Sequence, residues 1–300
     1  MKAKYNLKTL FVITLLLSIG FAGCDNGGEP TAIDLYGVAG SGTQIAAVGV
    51  RGSIRTSSDG VAWTSRASNA SNDLFGVVET GTQFIAVGFR GTIRSSPDGV
   101  TWTQQTSGSS KGLAGVAWSG IQFAAVGGRG TIITSPDGAA WTVQASGTSN
   151  DLLGVAWSGT QFVAVGLSGT ILTSPDGVTW TPQTSGSTSH LSGIIWSGTE
   201  FAVVGLDGTI LTSPDGITWT TQTSGSPDAL YGIAWSGAEF AAVGGNGAIL
   251  TSADGVAWTV QTSGTSNGLN GVAWTGTQFI AVGFSSTILT SPDGVTWTSR

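Results

Sequence analysis

One spacing constrains this chain more than any other feature. Aspartate recurs inside a Ser-x-Asp-Gly stretch at Asp59, Asp98, Asp137, Asp176, Asp215, Asp254 and Asp293, and every interval is 39 residues. Seven such units fill residues 28 to 300 without an insertion or deletion. A unit of this length holds a few strands at most and cannot bury its own apolar surface, so units must pack on one another, in a line or a ring.

The fourth unit shows what is repeated. Apolar and β-branched runs at 153–157, 161–166, 170–173 and 178–183 read as four strands, separated by Ser-Gly-Thr, Leu-Ser-Gly and Ser-Pro-Asp-Gly. Those are hairpin-length connections, so each unit is a four-stranded antiparallel sheet. Phe162 and Ala164 face one side of the second strand, Val163 and Val165 the other, and both sides are apolar. Each sheet therefore needs a neighbour on both faces. A linear solenoid would need distinct capping units at its ends, and the first and last units carry the common pattern. The expected fold is all-β: a seven-bladed β-propeller forming one domain over residues 31–300, closed between Arg300 and the region of Leu35 with no exchanged strand. A composition with 48 glycines and only 9% charged residues fits this class.

The chain opens differently. Lys2, Lys4 and Lys8 precede an apolar run from about residue 10 to 21, which closes on Phe21-Ala22-Gly23-Cys24. This has the build of an export signal. The closing stretch resembles the lipobox of bacterial lipoproteins, with Phe21 where the family usually has Leu. The resemblance implies a signal peptide at 1–23, a lipid on Cys24, the chain's one cysteine, and a flexible tether at 24–30. It also implies an exported protein, attached to a bacterial membrane through that lipid only, on the periplasmic side or the cell surface. Loss of the three signal lysines leaves eight basic against seventeen acidic residues, a net charge of −9. That balance argues against nucleic acid as a partner.

The recurring aspartates suit structure better than chemistry. In Ser174-Pro175-Asp176-Gly177, proline fits the second position of a type I turn, aspartate can accept nearby backbone N–H groups, and glycine can turn left-handed. Trp180 is expected on the outer strand, on the same face as Val178. One carboxylate per blade is spread around a ring, too dispersed for paired acid catalysis or a calcium cage. The stretch resembles the Asp-box, or BNR, repeat of sialidases, photosystem II assembly factors and bacterial surface propellers, with one residue fewer between Asp and Trp than the usual pattern. In that family these boxes are framework, away from the ligand face.

All twelve tryptophans fall in two repeat columns. Seven follow the aspartates; Trp118, Trp157, Trp196, Trp235 and Trp274 end the first strand of units three to seven. Gly40 and Glu79 interrupt the second column, and in the same units Arg55 and Arg94 replace an aliphatic residue of the third strand. A Glu79–Arg94 pair and independent drift of the first two units both account for this.

Enzymatic chemistry finds little support. The sialidase pattern needs a Phe-Arg-Ile-Pro stretch that is missing, and His190 is the only histidine. No catalytic residue, metal ligand set or cofactor is assigned. His190 itself is expected as a solvated loop residue.

Binding is the better expectation. The turns between first and second strands, and between third and fourth, are nearly constant from unit to unit. The turns between second and third strands vary, as do the links between units. In an up-and-down blade these two sets lie on opposite faces. Arg51, Arg90 and Arg129 occupy one turn position in three consecutive units, with Lys111 in a link nearby. They are candidate ligand-binding residues for a carboxylate-bearing partner; solvated charges or partners of Asp34 and Asp73 are the alternative. The reading is a monomeric, non-enzymatic binding or scaffold lipoprotein of the bacterial envelope. The assembly-factor relatives imply a protein partner and the sialidase relatives a glycan, so a lectin-like propeller is the alternative, followed by a sialidase-like glycoside hydrolase.

Overall fold

The computed structural model describes residues 32–42 and 44–300. The signal, Cys24 and the tether lie outside them. Blade 1 is built from Leu35–Ser41, Gln44–Gly49, Ile54–Ser57 and Thr64–Arg66, each antiparallel to the one before it. Six further four-stranded sheets follow in chain order, blades 2 to 7, and every strand pairs within its own unit.

The alternation along the second strand produces the ring. Phe162 and Ala164 of blade 4 pack with Ala124, Val126 and Ile132 of blade 3, while Val163 and Val165 pack with Leu191, Phe201 and Val203 of blade 5. Blades 3 to 7 each also carry an aromatic stack. Trp157 ends the first strand opposite Phe162, their ring centroids 4.6 Å apart, and Trp180 lies 6.3 Å away on the other side. The same arrangement recurs in blades 3, 5, 6 and 7, with centroid spacings from 4.1 to 6.3 Å and tilted or edge-on ring pairs. The two tryptophan columns thus bracket one phenylalanine.

No strand is exchanged to close the ring. Ile280 and Val282 of blade 7 pack with Leu35, Ile45 and Ala47 of blade 1. Asn270 donates to the Leu35 carbonyl at 2.8 Å and Gln278 to that of Asp59 at 2.7 Å. The Ile33 N–H reaches Ser286 Oγ and the Ser286 N–H returns to the Ile33 carbonyl, both at 2.8 Å.

Three local expectations are corrected. The fourth strand of blade 4 is Thr181–Thr184, not 178–183. Asp176 holds the amides of Val178 and Thr179, which keeps the chain bent up to Trp180 and leaves Val178 48% exposed. Glu79 and Arg94 are not a pair: the Glu79 carboxylate accepts the Gly81 N–H, while buried Arg94 donates to the Ser68 and Asn69 carbonyls of the link between blades 1 and 2. His190 is half-buried at a blade joint, where Nδ1 accepts the Ser168 N–H at 3.0 Å.

Candidate binding faces

The seven aspartates share one geometry. Asp176 Oδ1 accepts the Thr179 and Val178 amides at 2.8 and 2.9 Å and the Ser174 hydroxyl at 3.0 Å, and Gly177 takes φ 69°. Trp180 Nε1 folds back to the Gly177 carbonyl at 2.9 Å. These backbone hydrogen bonds hold the carboxyl groups below their ordinary value, because they favour the charged acceptor. The carboxylates pin turns, and a brace joins five of the seven turns to the blade before it. Gln161 at the start of a second strand donates to the Asp215 carbonyl of the next blade at 2.6 Å, as Gln44, Gln83, Gln122 and Gln278 do at their joints. Glu200 and Glu239 stand in the same column without an N–H to give. Burial and then the neighbouring Asp254 carboxylate push the Glu200 carboxyl up.

The opposite face is built on one unusual residue per blade. Arg51, Arg90, Arg129, Ser168, Asp207, Asn246 and Ser285 all adopt left-handed backbone, φ 52–57°, at the tip of the turn between second and third strands, and all are exposed. The three arginines therefore share one turn position in blades 1, 2 and 3. Four of these residues are held by the following blade: the Arg51, Arg129, Ser168 and Ser285 amides donate to Asp73, Asp151, His190 and Asp34, at 2.7, 2.6, 3.0 and 2.9 Å. Asp73 and Asp34 thus bind turn backbone, a role that the order of residues along the chain does not reveal. At the Arg90 joint the same column holds Gly112, which brings no carboxylate. Lys111 is exposed beside it, and the Arg90 guanidinium lies 5.3 Å from the centre of its neighbour Phe89. Positive charge is least offset there.

Around the axis, Gly37, Val38 and their counterparts in every blade line a channel of about 200 Å³. Glycine is required by close approach: a Cβ on Gly37 would sit 2.6 Å from the Phe75 carbonyl oxygen of the next blade. One residue earlier each first strand carries a bulge. Leu35 pairs with Gly49 and Gly37 with Val48, so Tyr36 is the extra residue, and the other six blades repeat this. The bulged column reads Tyr36, Phe75, Ala114, Leu153, Ser192, Tyr231 and Asn270. It lies at the end of the channel nearest the arginine turns. Burial, with Asp73 and Asp34 beside it, raises the Tyr36 phenol above its ordinary value and keeps it neutral. This ring was not legible as a site, because the bulge that singles it out is a pairing irregularity. Among the described residues there is no group of three or more His, Cys, Asp or Glu side chains placed to hold a metal.

No family model matches the chain, and no curated protein matches it. Solved structures do. The chain is similar to "YCF48 bound to D1 peptide" at 18% identity and TM-score 0.71, covering 89% of this chain and 95% of that one. It is similar to YCF48 from Cyanidioschyzon merolae at 17% identity and TM-score 0.68, covering 88% and 96%. It is also similar to the WD40 β-propeller domain of Doa1 at 14% identity and TM-score 0.71, covering 88% and 95%. At these identities the likeness is one of fold.

Proposed function

We propose that this chain is a non-enzymatic binding or scaffold lipoprotein of the bacterial envelope, which uses the arginine-bearing face to hold a carboxylate-rich protein segment. It is exported by the signal at 1–23, lipid-anchored through Cys24, carried on the tether 24–30, and works as a monomer. The observation that carries the binding reading is the shared left-handed turn of Arg51, Arg90 and Arg129. Arginine at positive φ costs backbone energy that glycine or asparagine would avoid, and strained positions of this kind cluster at functional sites. Lys111 and the carboxylate-free joint at Gly112 add to the positive field near Arg90, and guanidinium groups clamp carboxylates through two parallel hydrogen bonds. A structural relative described as bound to a peptide supports a protein rather than a sugar as the occupant.

The test is a pull-down from envelope extract with the full chain and its Arg51→Ser/Arg90→Ser/Arg129→Ser variant. The variant should melt within about 1 kcal/mol of the parent, as exposed charges contribute little, and should lose a salt-sensitive protein partner. Retention of that partner at full strength rules the arc out. Selective capture of glycans on an array moves the reading to a lectin.

A further inference from the structure

The bulged ring at the channel end has two unlike halves. Phe75, Ala114 and Leu153 make an apolar arc over blades 2 to 4, and Ser192, Tyr231 and Asn270 a hydrogen-bonding arc over blades 5 to 7; Tyr36 joins them, its ring 5.5 Å from that of Phe75. Phe75 and Leu153 are each 9% exposed yet stand outside the seven interblade clusters. Among the described residues, two polar atoms of the ring are buried without a hydrogen-bond partner, Ser192 Oγ and Asn270 Oδ1. Asn270 uses its amide N–H on the Leu35 carbonyl, so the oxygen left over can only accept. Buried acceptors without donors are costly and rare in folded proteins. Bulges are also a recurrent device for re-aiming side chains at sites.

We infer that the axial end of the arginine-bearing face is a receptor for one aromatic side chain that carries a hydrogen-bond donor, tyrosine or tryptophan, presented by the bound protein segment. The apolar arc takes the ring, and Ser192 Oγ accepts the phenol O–H or indole N–H, with Asn270 Oδ1 a second acceptor on the same arc. Ala114, the smallest member, leaves room between Phe75 and Leu153 on the side where Arg90, Lys111 and Arg129 lie. The adjoining channel, at about 200 Å³, is below the ~300–1,000 Å³ of pockets that engulf whole ligands, which suits one side chain. The inference rests on the proposed protein-binding face and adds a specificity position to it.

Saturation-transfer NMR on the full chain tests it, with N-acetyl-tyrosinamide, N-acetyl-tryptophanamide and N-acetyl-phenylalaninamide as probes. The first two should bind about tenfold more tightly than the third, the worth of one buried hydrogen bond. Ser192→Ala should erase most of that preference without unfolding the protein, and Ala114→Trp should block all three probes. The arginine-to-serine variant should still bind the tyrosine probe, which separates failure of the arc from failure of the ring. Equal binding of the phenylalanine probe, no binding of any probe, or binding untouched by Ser192→Ala overturns the inference.

Discussion

Replacing Glu200 by glutamine should stabilise this protein. At five of seven joints a glutamine amide donates to the aspartate carbonyl of the next blade. Glu200 holds the equivalent place, its Oε1 2.9 Å from where a Cβ on Gly255 would lie, but a carboxylate has no proton to give. Its carboxyl is pushed above the ordinary 4.5 by burial and by Asp254. A group whose folded value is raised favours the fold while protonated and loses that contribution as pH climbs through the raised value. At pH 7 the parent therefore carries the penalty and Glu200→Gln does not. Glu200 is only partly buried, so screening trims the charge term, and the new hydrogen bond supplies about 0.5–1.5 kcal/mol. The total gain is about 1 kcal/mol, or ~2–4 °C in Tm for a domain this large. Thermal melts followed by circular dichroism at pH 7 and pH 4 measure it. The gain should shrink at pH 4, where the protonated glutamic acid can itself donate. An unchanged or lowered Tm at pH 7 refutes the reasoning, as does a gain equally large at both pH values.

Other consequences are as concrete. Phe162→Ala removes the ring between Trp157 and Trp180 and should cost about 3–5 kcal/mol in denaturant titration; a loss under 1 kcal/mol would mean that the blades slide to refill the gap. Arg94→Leu restores the residue of four other blades, yet should destabilise by about 1–3 kcal/mol, because the Ser68 and Asn69 carbonyls lose their donor; stabilisation in the same melt would contradict this. The aspartate turns have carboxyl values held below 3.8, so their contribution is present above that pH and lost as pH falls through the lowered values. The parent should therefore lose more stability than Asp176→Asn between pH 5 and pH 2.5, and parallel curves would count against the turns as the acid-labile element.

Much of this architecture was already legible along the chain. A strict 39-residue period, hairpin-length connections and second strands apolar on both faces leave few alternatives to a closed ring of seven sheets. The period is a one-dimensional signal, and every constraint it carries acts within a unit or between adjacent units. Placing Arg51, Arg90 and Arg129 on one turn position in consecutive blades followed from the same logic. What the tertiary structure decided are the contacts that cross joints. Arg94 and Glu79 looked like partners because they change in the same unit, but the guanidinium reaches the link carbonyls, which lie nearer across the joint. Val178 was read as strand because valine favours strands; the aspartate bonds outweigh that preference. His190 looked like a solvated loop residue and Asp73 like a partner of arginine side chains, and only the packing of one blade on the next shows that both hold turn backbone, as Asp151 does. The bulged ring from Tyr36 to Asn270 is invisible in sequence because the extra residue in each first strand is a pairing irregularity that no residue pattern announces, and Tyr36 and Asn270 become neighbours only when the last blade meets the first.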